Sequence, residues 1–85
     1  GRFVAGAIVL FVIDSACNIV RGEIMKGVTV FAGFRSFDDF TGRNLLDLTE
    51  ADVASYDRQT RRAVLGAREE YIIYQEQGET LATHA

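Results

Sequence analysis

The chain has no proline and no tryptophan, and only one cysteine, one histidine and one methionine among its 85 residues. A single cysteine excludes an internal disulfide framework, and one Cys with one His cannot furnish a four-ligand structural zinc site. Positive charge is also short: nine Lys and Arg stand against twelve Asp and Glu, for a net charge of -3 and a pI near 5.0. Nucleic-acid binding needs a basic surface to neutralise phosphates, so no nucleic-acid partner is expected. The sequence holds no phosphate-binding glycine loop, no CxxC, no HExxH and no G-x-S-x-G. No cofactor and no metal are therefore expected, and the balance leans away from an enzyme.

What the chain does have is apolar material. Hydrophobic residues make up 48% and the mean hydropathy is +0.07, too apolar for a disordered chain. The length allows one domain, residues 1–85. Residues 1–40 carry eight charged side chains and residues 41–85 the other thirteen, with no Ser/Gly/Pro-rich linker between. The change of composition reads as two layers of one unit. Beginning at Gly1 rather than methionine, the chain is also compatible with an excised piece of a longer precursor.

The run Phe3–Ile13, FVAGAIVLFVI, holds no charge and no hydrogen-bonding side chain. As a strand it lacks the alternation of a half-exposed sheet and would need both faces covered. Its β-branched residues Val4, Ile8, Val9, Val12 and Ile13 suit that state. The next residues continue the pattern: a turn at Asp14–Cys17, a strand at Asn18–Met25, a tight turn at Lys26-Gly27 and a strand at Val28–Phe34. The first fold reading is thus α+β, with a three-stranded antiparallel meander over about 3–34 packed on one long C-terminal helix. The alternative is all-α. Extended to Val20, the run approaches the ~20 residues of a membrane span, with Asp14 as the costly member, and a single transmembrane helix over about 3–20 would anchor the chain. A third reading is a targeting segment. Arg2, the apolar run and then Ser15-Ala16-Cys17 resemble the end of a bacterial lipoprotein signal, although Asp14 stands where that pattern wants an aliphatic residue.

Ser36, Asp38 and Asp39 predict a short helical turn over 37–41 closed by Thr41-Gly42, with Phe34, Phe37 and Phe40 on one side. Thr49 with Asp52 forms a variant capping box and predicts a helix over about 50–77, stopped by Gly78 and followed by a mobile tail over about 79–85. Val53, Tyr56, Thr60, Ala63, Val64, Ala67, Tyr71 and Tyr74 form its apolar stripe, and Arg58, Arg62, Glu69 and Glu76 fall opposite. Asp57 and Arg61 form an i, i+4 pair. Gly66 costs about 1 kcal/mol relative to Ala in mid-helix, and marks a bend or the close approach of another backbone.

Leu65 and Ile72, seven residues apart, fall on the side opposite that stripe, with Ile73 nearby and Arg61 and Arg68 around them. These five residues are the candidate partner interface, an apolar patch with a charged rim. The expected function is a non-catalytic interaction or structural subunit, bound to copies of itself or to a larger protein assembly, and cytoplasmic if soluble. The alternative is a small membrane-anchored accessory protein held through residues 3–20. A third reading is a small α+β enzyme using a pocket under Phe34, Phe37 and Phe40, with Asp38 or Tyr71 as acid or base. Cys17, far from any base, reads as an inert buried thiol.

Overall fold

The computed structural model describes residues 6–27 and 33–84, with side chains as far as residue 76. Two strands, β1 (Gly6–Ile13) and β2 (Ile19–Gly27), form an antiparallel hairpin, and β3 (Arg35–Ser36) pairs antiparallel with the other side of β2. One helix, α1 (Arg58–His84), packs mainly against β1. The fold is α+β, a three-stranded antiparallel sheet on one C-terminal helix.

The hairpin turn is built by Asp14. Its carboxylate accepts the backbone N–H groups of Ala16 and Asn18, each at 2.9 Å, and an Asn18 side-chain N–H at 3.3 Å. The backbone N–H of Asn18, then that side chain and Ala16, hold the Asp14 carboxyl below its ordinary range. Cys17 takes the left-handed conformation, φ 69°, that closes the turn. The membrane reading of residues 3–20 is overturned here. Gly6–Ile13 is a strand whose backbone bonds go to β2, and among the described residues no helix is long and apolar enough to cross a membrane.

Pairing runs from Gly6 opposite Gly27 to Val12 opposite Arg21, then slips by one residue so that Ile13 meets Ile19. Val20 is the extra residue of this bulge. The slip lets both Ile13 and Ile19 face the core, Ile19 being almost wholly buried. Lys26 and Gly27 are strand residues opposite Ala7 and Gly6 rather than the expected tight turn. The third strand was expected at Val28–Phe34. Residues 28–32 lie outside the described residues, as do residues 3–5, and the strand is found later, at Arg35–Ser36.

Beyond β3 the chain stays beside β2. Phe37 N–H donates to the Gly22 carbonyl (2.9 Å), and further along Gly42, Arg43 and Leu45 exchange backbone bonds with Ile19 and Cys17 at 2.8 Å. Between these anchors the loop drops Phe37 and Phe40 into the core. Their rings meet edge to face at 5.7 Å, beside Phe11 and Tyr56. Gly42, at φ 91°, closes the loop; residues 37–41 make a turn, with Thr41 N–H on the Asp38 carbonyl (3.1 Å), rather than a helix. Ile24, Leu45, Leu48, Val53 and Val64 complete the core. Each such burial contributes about 1.5–3 kcal/mol.

The helix begins eight residues later than its expected start. Thr49 and Asp52 do bond, the Asp52 carboxylate accepting the Thr49 backbone N–H (2.8 Å) and hydroxyl (3.0 Å), but the turn that follows is a 3-10 turn, Ala51–Val53, whose N-cap is Glu50 without a side-chain cap. That backbone N–H, with Arg43 next, pulls the Asp52 carboxyl below its ordinary value. Tyr56 then turns into the aromatic cluster, and a second cap starts α1. Asp57 accepts the Thr60 backbone N–H (3.1 Å) and hydroxyl (2.8 Å). Asp57 pairs with Lys26 across the fold, not with Arg61. At its other end the helix runs through Gly78 to His84 instead of stopping near 77. Thr60 and Val64 are buried as the stripe requires; Tyr74, with 72% of its surface exposed, is not. At Tyr71 the helix meets the hairpin turn, and it continues from there for about 20 Å at 1.5 Å per residue.

Candidate functional site

The alternation of β1 divides the apolar run between two faces. Val9, Phe11 and Ile13 pack on the core, while Ile8, Leu10 and Val12 point to the other side and keep 46–49% of their surface exposed. Val20, displaced by the bulge, is 51% exposed. Opposite these side chains on β2 stand Met25, Glu23 and Arg21. One face of the sheet thus carries four half-exposed aliphatic residues and one charge of each sign. Scattered exposed apolar residues are ordinary; a contiguous strip on one sheet face is the mark of a contact surface. β1 is an edge strand of the described sheet, so the strip lies at its border.

The second surface lies between α1 and the turn before it. A groove of about 620 Å³ is lined by Glu50, Val53, Ala54, Arg61, Arg62 and Leu65 among others, and a smaller one of about 290 Å³ by Leu48, Glu50, Leu65 and Arg68 among others. Three of the five expected interface residues sit here, turned toward the body of the protein. Leu65 packs against the core. Arg61 donates to the Tyr56 carbonyl (2.5 Å), and Arg68 Nε donates to the Leu46 carbonyl (3.1 Å). Ile72 is half-buried and Ile73 is exposed. The five are not brought together as one outward patch, because residues 45–54 cover the side of the helix on which Arg61, Leu65 and Arg68 lie. The signal missed in the sequence was the second cap, in which Asp57 accepts the Thr60 backbone N–H and hydroxyl and α1 starts at Arg58.

The residues of the enzyme reading are also separated. Phe37 and Phe40 are core residues whose rings fill the space between them, and Phe34 is 45% exposed. Tyr71 receives the Cys17 thiol hydrogen at 3.3 Å and a Gln75 amide N–H at 3.3 Å. The Cys17 sulfur, with burial second, raises the Tyr71 phenol above its ordinary value. Asp39, not Asp38, has the close phenol: Tyr56 Oη donates to its carboxylate at 2.7 Å. Among the described residues no three His, Cys, Asp or Glu side chains converge as a metal-ligand set.

Sheet, loop and helix together define a small α+β domain that, among the described residues, leaves an apolar sheet face half exposed. The chain belongs to the glucitol operon activator protein (GutM) family, whose model matches residues 1–64. The match takes in the whole sheet, the aromatic loop and the first turns of α1, ending at Val64. No curated protein and no solved structure matches the chain.

Proposed function

We propose that this protein is a non-catalytic activator of operon expression that works by binding another regulatory protein through the outer face of its sheet. The observation that carries the reading is the strip Ile8, Leu10, Val12 and Val20, four aliphatic side chains about half exposed on one face. Family membership supplies the regulatory context, since the family is that of the glucitol operon activator protein. Charge argues for a protein partner over DNA. The chain is acidic overall, and the sheet face balances Arg21 with Glu23, so neither offers the basic patch that phosphate contacts require. A nearly neutral apolar strip with polar neighbours instead suits the centre of a protein–protein interface.

A reporter placed behind a promoter that the chain activates tests this. Leu10→Glu is expected to abolish activation while circular dichroism and thermal unfolding stay close to the parent, because Leu10 points away from the core. The purified chain is expected to leave promoter DNA unshifted at physiological salt. Full activation by Leu10→Glu, or specific retardation of the promoter by the chain alone, would overturn the reading.

A further inference from the structure

Helix α1 is segregated by charge along its length. From Arg58 to Arg68 it carries four arginines and no acid, and from Glu69 to His84 four glutamates and no lysine or arginine. Beyond the Asp57 cap at its start, this is the reverse of what one helix prefers, since the dipole favours acids in the first turn and bases in the last, and the first turn itself holds no acid. An antiparallel neighbour with the same sequence removes the mismatch. The outward side of α1 presents Arg58, Arg62, Gly66, Glu69, Ile73 and Glu76, successive three- and four-residue steps along one face, with Arg62 and Glu69 also edging the two grooves. The four charged members of that face are exposed, and Ile73 keeps 45% of its surface open. Among the described residues Arg58 and Arg62 have no ion-pair partner. Gly66 fits as well. A Cβ at Gly66 would meet no atom of this chain within 4 Å, so its own packing does not require a glycine there. A residue that costs about 1 kcal/mol in mid-helix then makes sense as the crossing point of a second backbone.

We propose that a second copy of this chain docks antiparallel along the outward face of α1, the arginine half of each helix against the glutamate half of the other. With the two-fold axis between Gly66 and Ala67, Arg62 of one copy lies between Glu69 and Ile73 of the other, and Arg58 lies against Glu76. Gly66 lets the helices close at the crossing. The surface is separate from the sheet face, and its glutamate half lies beyond the residues that the family model matches.

Sedimentation equilibrium of the whole chain at micromolar concentration tests it. The expected result is a dimer that weakens by about tenfold as salt rises from 0.1 M to 1 M and screening shortens from about 10 Å to 3 Å. Arg58→Glu with Arg62→Glu in one chain, and Glu69→Arg with Glu76→Arg in another, are each expected to be folded monomers by circular dichroism. Mixed in equal amounts, they are expected to recover the dimer. A parent chain that stays monomeric would sink the proposal. So would reversed copies that dimerise as well as the parent, or a dimer abolished by Leu10→Glu alone, which would place self-association on the sheet.

Discussion

Lys26 and Asp57, thirty-one residues apart, meet at 2.6 Å and tie the end of β2 to the start of α1. The contact gives Asp57 two tasks, as cap of the helix through Thr60 and as counter-ion to the sheet. Both side chains are about two-fifths exposed, so solvent screens the pair.

Lys26 first, and then the Thr60 hydroxyl and backbone N–H, hold the Asp57 carboxyl well below the usual carboxylate range. A carboxyl depressed in the folded state adds stability above its unfolded value, near 4, and loses it as pH falls toward the folded value. Asp57→Asn keeps a capping oxygen and removes the charge. Thermal unfolding should show a lower Tm than the parent at pH 7, with the gap closing below about pH 4. A constant gap across that range would refute the assignment.

Tyr56 gives the opposite sign at the other end of the pH scale. Its hydrogen bond to the Asp39 carboxylate, then burial, then the Asp39 charge push its phenol up to about 12 from an ordinary 10.0. A proton held more tightly in the folded state stabilises fully below pH 10, and that stability is lost as pH rises from 10 toward 12. Tyrosinate absorbance of the folded chain should therefore include a late component near pH 12. Tyr56→Phe should remove that component and flatten the alkaline loss of Tm.

Gly22 lies opposite Phe11 in the hairpin, with the Phe11 ring against it and the Phe37 carbonyl oxygen pressed on the same side. A Cβ there would meet that carbonyl oxygen at closer than contact distance and two Phe11 ring carbons at 3.1 Å. Because backbone cannot swing aside as a flexible side chain does, Gly22→Ala should cost about 1–3 kcal/mol by overpacking, read as a lower urea midpoint at unchanged slope. Gly66→Ala, where nothing of the chain lies in the way, should leave the monomer as stable or slightly more so.

Much of this architecture was legible in local pattern. β-branched residues, the turn at Asp14–Cys17, the Thr49–Asp52 pair and the 3.6-residue stripe through Thr60 and Val64 are properties of short stretches of chain, and they imply a meander followed by a helix. The interface expected at Leu65, Ile72, Ile73, Arg61 and Arg68 was less so, because a helical wheel shows which residues share a side but not which side the neighbouring segment covers.

From the amino acids alone came the exclusions and the partition into an apolar, strand-forming half and a charged, helix-forming half, since cysteine count, net charge and side-chain period do not depend on neighbours in space. Tertiary packing decided the rest. The bulge at Val20 sets which residues of the apolar run are left bare, and the half-buried ring of Tyr56, packed on Phe40, stands between the 3-10 turn after Thr49 and the Asp57 cap that starts the true helix. Residues far apart in the chain compete for one core volume, so the outcome belongs to the folded whole and not to any window of sequence.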